Sequence, residues 1–84
     1  MSTRSWDVKL TQSALRDLRR LDPQIRRRVT AALEALAANP QRPGALRKLS
    51  GAPEHRLRIG DWRALLLLDA RVLRATQADH QRLI

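Results

Sequence analysis

The apolar positions of this chain change period along its length, and each change marks an element. Between Ser5 and Leu10 they alternate, with Trp6, Val8 and Leu10 on one side and Asp7 and Lys9 on the other. That period of two predicts a half-buried strand. From Thr11, a good N-cap, the spacing becomes helical, with Ala14, Leu15, Leu18 and Leu21 on one stripe and Arg16, Asp17, Arg19 and Arg20 opposite. Asp22-Pro23 restarts a helix, Asp as N-cap and Pro at the first helical position. Ile25, Val29, Ala32, Leu33 and Leu36 then form an apolar stripe that Asn39-Pro40 ends, with Arg26, Arg27 and Arg28 on the outer helix face. Two helices joined almost without a loop predict an α-helical hairpin.

Residues 41–54 are punctuated by Gly and Pro and read as a loop, with Leu46 and Leu49 tucked inward and Arg47 and Lys48 exposed. The stretch His55–Leu68 alternates, breaks at Gly60-Asp61 and alternates again, the pattern of a β-hairpin with Gly first in a tight turn. Such a turn puts Leu57, Ile59, Trp62, Ala64, Leu66 and Leu68 on a core face. Arg56, Arg58 and Arg63 share the other face, Arg58 directly opposite Arg63. A second turn at Asp69-Ala70 predicts Leu66 opposite Leu73, Ala64 opposite Ala75 and Arg63 opposite Thr76. This register adds Arg74 to the arginine face and sets Leu65, Leu67 and Val72 in an apolar patch further along it. The last residues, Ala78–Ile84, read either as a helical turn or as a frayed tail. The expected architecture is one small α+β domain over residues 1–84. It has an N-terminal strand, an α-helical hairpin and a three-stranded antiparallel meander, with the helices packed on one face of the sheet.

Composition narrows the function classes. With 84 residues and 43% hydrophobic positions, the chain has room for one small core. It has no apolar run of membrane-span length and no signal-peptide pattern, so a soluble cytoplasmic protein without a membrane partner is expected. The absence of Cys excludes disulfides, thiolate metal sites and a Cys nucleophile. His55 and His80 are the only imidazoles, neither near a carboxylate cluster, and Gly44, Gly51 and Gly60 are scattered. Neither a metal nor a small-molecule cofactor is expected on that pattern. The net charge of +9, nearly all of the cation count being Arg, points to a polyanion or a very acidic protein partner. Trp6 and Trp62 are the only aromatics, too few for a base-stacking platform, so RNA contacts would fall to cations such as Arg47, Lys48, Arg74 and Arg82.

Two arginines facing each other across a ladder repel. An outer sheet face rich in Arg is also an ordinary solvated surface. Three guanidiniums converging there, with no acidic neighbour in the expected register, favour a bound anion. RNA cleavage needs no metal, since the 2′-hydroxyl can attack its own phosphate if the protein stabilises the phosphorane charge and moves protons. Arg56, Arg58 and Arg63 suit the first task through bidentate phosphate contacts, and His80 is the candidate for the second.

The stretches ALRDLRRLDPQIRRRV (14–29), NPQRPGALRKLSG (39–51) and HRLRIGDWRALLLLD (55–69) resemble the RelE/ParE superfamily of bacterial toxins, closer to its RelE-like branch. The resemblance covers nearly the whole chain, and RLRIGDWR is its most specific part. It implies a toxin of a type II toxin–antitoxin pair: a metal-independent endoribonuclease that enters the ribosome, cuts mRNA and is neutralised by a cognate antitoxin. Family residues that contact the scissile phosphate fall on Arg56, Arg58 and Arg63. At the C-terminal end the family's His-Arg-like pair reads His80-Gln81, and no Tyr is present. The resemblance then leaves Arg82 and His80 as stand-ins, and losing either family contribution costs on the order of 10²-fold in rate. A ParE-like toxin acting on DNA gyrase, and a basic protein that binds an acidic partner or rRNA, are the alternatives. The expected antitoxin is acidic and folds on Leu65, Leu67 and Val72.

Overall fold

The hairpin forms as its alternation requires. A computed structural model of the protein describes residues 6–40, 42–69 and 72–80. Their elements are β1 (Asp7–Leu10), α1 (Gln12–Arg20), α2 (Pro23–Ala38), β2 (Arg47–Lys48), β3 (His55–Ile59), β4 (Trp62–Asp69) and β5 (Val72–His80). The strands make one sheet in the order β1-β5-β4-β3-β2. β1 runs parallel to β5, and every other pair is antiparallel. Arg58 faces Arg63 and Leu57 faces Ala64, the expected β3–β4 register. Gly60 in the connecting turn has φ +59, a region that other L-residues enter at a cost.

The helix boundaries also follow local chemistry. Thr11 caps α1, its Oγ1 accepting from the Ala14 amide at 3.1 Å. Asp22 occupies the N-cap position of α2 without a side-chain cap hydrogen bond, and Pro23 follows it in the first turn. Asn39 ends α2. Between the helices lie only Leu21 and Asp22, and Arg26 makes so tight a connection workable. Its Nε donates to Leu18 O at 3.1 Å, and its Nη2 donates to Leu21 O at 3.1 Å and Arg19 O at 3.5 Å. A cation thus satisfies the orphan carbonyls at the negative end of α1. The helical stripe alone puts Arg26 on an outer helix face, and the structure turns its head back onto the end of α1.

The core lies between the helices and one sheet face. Leu18, Val29, Leu33 and Leu36 meet Leu57, Leu66 and Leu73, all buried. Leu66 and Leu73 are fully buried at the centre of the sheet, each stabilising the fold by roughly 1.5–3 kcal/mol.

Three expectations need correction. Residues 41–54 are not all loop, because Arg47 and Lys48 add to β3 as the edge strand β2. Asp69 is not a turn residue: it pairs with Val72, and Leu66 faces Ala75 rather than Leu73. Ala78 to His80 continue β5 instead of starting a helical turn or tail, and residues 81–84 lie outside the described residues. The register also breaks between Leu65 and Leu66, which face Gln77 and Ala75 and leave Thr76 as a β-bulge. Unbroken alternation from Leu73 and Ala75 would carry Gln77 and Asp79 into the core. The extra residue reverses the faces, burying Ala78 and turning Asp79 outward.

Candidate nucleic-acid interface

The face of the sheet turned away from the helices carries the arginines in cross-strand rows. One row is Arg58, Arg63 and Asp79, on β3, β4 and β5. The next is Arg47, Arg56, Leu65 and Gln77, on β2, β3, β4 and β5. Directly opposed residues share a face at roughly 5 Å between Cβ atoms, so four arginines occupy two adjacent rows. β2 is the reason Arg47 is among them, a placement no loop reading could supply. Lys48 faces His55, one step along and of the other parity, so it lies off this face. Arg74 shares the face but sits on β5 opposite Leu67, with Lys9 of β1 as its other neighbour.

Arg63 has the acidic neighbour that the expected register denied it. Its Nε donates to Asp79 Oδ1 at 2.9 Å, the two side chains being 18% and 29% exposed. With Thr76 opposite Arg63 no carboxylate would be in reach; the bulge brings Asp79 there instead. At the hairpin tip the Arg58 Nε donates to Gly60 O at 3.3 Å. Arg28, expected on an outer helix face, reaches the same turn, its Nη2 lying 2.8 Å from where a Cβ on Gly60 would be. No sequence signal links a residue of α2 to that turn, since only packing brings them together.

The apolar patch also differs from expectation. Leu65 is 7% exposed although it belongs to the arginine face and lies outside the core cluster. Its directly opposed neighbours on that face are Arg56 and Gln77. Leu67 and Val72 are half-buried. His80 ends β5 in the same row as Trp62, next to the Arg63–Asp79 row. The His80 side chain and all of Arg82 lie outside the described part of the structure. His55 faces Leu66 on the core side, and its Nδ1 is buried with no partner among the described residues. No group of three or more metal-ligating side chains occurs among the described residues. No helix there is long and apolar enough to cross a membrane. Chemically, the rows offer planar, permanently charged donors to phosphate oxygens on a rigid sheet.

The model of the ParE toxin family, the toxin of the type II toxin–antitoxin system parDE, matches residues 8–81. The chain belongs to that family. This toxin also shares its fold with solved structures of RelE proteins. It is similar to a chain in the toxin–antitoxin complex RelBE2 of Mycobacterium tuberculosis, with 28% identity and a TM-score of 0.81 over 90% of this chain and 98% of that one. A chain of the RelE–RelB complex of Pyrococcus horikoshii matches with 20% identity and a TM-score of 0.77, covering 95% and 99% of the two chains. One of the intact E. coli RelBE complex matches with 20% identity and a TM-score of 0.69, over 89% and 95%. No curated protein sequence matches the toxin at a significant level.

Proposed function

We propose that this toxin is a ribosome-dependent mRNA endoribonuclease that inhibits translation. The observation that carries the reading is the pair of arginine rows, with Arg58 directly opposite Arg63 and Arg47 opposite Arg56. Like charges held face to face on a rigid sheet are relieved by an anion between them, and a phosphodiester supplies one. In the reaction the RNA 2′-oxygen forms a bond to the adjacent phosphorus as the bond to the 5′-oxygen breaks, leaving a cyclic phosphate and a 5′-hydroxyl. Arg56, Arg58 and Arg63 stabilise the charge that grows on the phosphoryl oxygens. Arginine stays protonated and makes a poor base, so proton transfer is assigned to His80. Arg47 and Arg74 extend the RNA track on the same face.

The test is cleavage of mRNA on programmed ribosomes by Arg58→Ala and Arg56→Ala proteins. Each substitution should slow cleavage by on the order of 10²-fold or more, the usual loss for one oxyanion donor. Arg58→Ala should leave the thermal midpoint unchanged or raised, because it removes an opposed like charge. Unchanged cleavage in both variants, or no cleavage by the wild-type protein, overturns the reading. The second reading is inhibition of DNA gyrase, favoured by the match to the ParE family model and by the carboxylate on the arginine face. Inhibition of DNA supercoiling by a wild-type protein that leaves ribosome-bound mRNA intact would establish it instead.

The partner in this reading is an acidic antitoxin. The three structural neighbours above are toxin–antitoxin complexes. Leu67 and Val72, half-buried beside the arginines, offer the apolar part of the docking surface, with Leu65 beneath. Apolar burial supplies the affinity and charge the association rate, so salt should slow association more than it speeds dissociation. Leu67→Asp should weaken the complex far more than Arg27→Ala. The reverse order would place the antitoxin on the helices.

A further inference from the structure

The bulge at Thr76 is held from both sides by specific bonds. The Thr11 amide donates to Ala75 O at 3.0 Å and Thr11 Oγ1 to Thr76 O at 3.4 Å. Thr76 Oγ1 donates to Leu65 O at 3.3 Å, and Asp17 Oδ2 accepts from the Ala78 amide at 3.1 Å. Residues of α1 and β4 thus fix the one place where β5 changes face. What that change delivers outward is Asp79, onto Arg63.

We propose that Asp79 is a positioning residue, which holds the Arg63 guanidinium in the arginine row for a phosphate; this rests on the cleavage reading above. An arginine side chain has four rotatable bonds before its planar head, and ordering it costs rotamer entropy. An acceptor on Nε fixes the plane of that head before RNA arrives. The contact is short, and both side chains are less than one-third exposed, so it is not a loose surface pair. Asp79 touches no reacting atom in this account and acts only through Arg63.

The experiment compares Asp79→Ala and Asp79→Asn with the wild-type toxin in ribosome-bound mRNA cleavage, ribosome affinity and NMR of the arginine Nε–H groups. Asn keeps an oxygen acceptor for Nε and removes the charge, whereas Ala removes both. Asp79→Ala should lower the cleavage rate constant by up to about 100-fold, the cost of a reacting group misplaced by an ångström. Its ribosome affinity should hold or rise, because removing a carboxylate from a basic face strengthens attraction to RNA. Asp79→Asn should retain the wild-type rate, and a slowly exchanging Arg63 Nε–H signal should survive in Asn and vanish in Ala. Cleavage by Asp79→Ala at the wild-type rate or faster overturns the proposal, since the carboxylate would then compete with phosphate. Equal loss in Ala and Asn overturns it too, because charge and not position would be decisive. If the wild-type toxin cleaves no mRNA, the cleavage reading fails on its own. The NMR signal then decides the ordering of Arg63, and an unchanged signal in Asp79→Ala refutes it.

Discussion

Asp17 should be worth more to this fold than its place on a polar helix stripe suggests. Among the described residues β1 pairs with β5 only from Val72 to Ala75, and no other strand flanks the rest of β5 on that side. The Ala78 amide, in a residue 3% exposed, finds the Asp17 carboxylate instead. Removing that acceptor forfeits a charged hydrogen bond and strands a buried donor, a loss of about 2 kcal/mol. Alanine is the better helix former by about 0.6 kcal/mol, which offsets part of it. Asp17→Ala should therefore destabilise by about 1.5 kcal/mol, lowering Tm by roughly 6–12 °C in a domain this small. A neutral acceptor gives roughly half the strength of a charged one, so Asp17→Asn should cost about 1 kcal/mol. Those two figures are too close for denaturation alone to separate. Amide hydrogen exchange separates them: Ala78 should lose its protection in the Ala variant and keep most of it in the Asn variant. If Ala78 stays as protected in Asp17→Ala as in the wild type, or stability changes by less than about 0.5 kcal/mol, the bond does not hold the strand.

Three further substitutions test other links. Arg26→Ala uncovers the C-terminal carbonyls of α1 and should cost about 1 kcal/mol in urea unfolding, whereas Arg27→Ala, on the exposed side of α2, should stay within about 0.5 kcal/mol. Gly60→Ala should cost about 1–2 kcal/mol through its φ of +59, and Gly60→Asn less, as calorimetry can show. Leu66→Ala opens a cavity at a fully buried position and should cost about 2–5 kcal/mol, far above the effect of Leu67→Ala next to it.

The arginine face owes its geometry to features of unlike origin. Arg56, Arg58 and Arg63 stand there by alternation along two strands joined at Gly60. Arg47 arrives because two residues of a Pro/Gly-rich segment pair with β3. Asp79 arrives because a bulge reverses β5, and the buried Leu65 stands between Arg56 and Gln77 because the β3–β4 and β4–β5 registers align them. Only the first of these was written in a local pattern.

That division has a physical cause. Caps, tight turns and helix starts depend on residues within four positions of one another, so Thr11, Asp22-Pro23, Asn39 and Gly60-Asp61 announced their elements in the sequence itself. Faces of a hairpin with a two-residue turn follow from period two, which is why the opposition of Arg58 and Arg63 was legible. The same period hid the β4–β5 register, because sliding one strand by two residues leaves every side chain on its original face. Leu66 opposite Leu73 and Leu66 opposite Ala75 bury the same set and look alike to any pattern of alternation. The choice between them, and the bulge that follows, rests on a hydrogen bond donated by Thr11 and one accepted by Asp17, more than sixty residues away in the chain. The sequence alone determined which residues face the core and which face water over most of the chain. Only the tertiary structure decided that Arg63 meets a carboxylate, since that contact depends on where a distant helix holds the last strand.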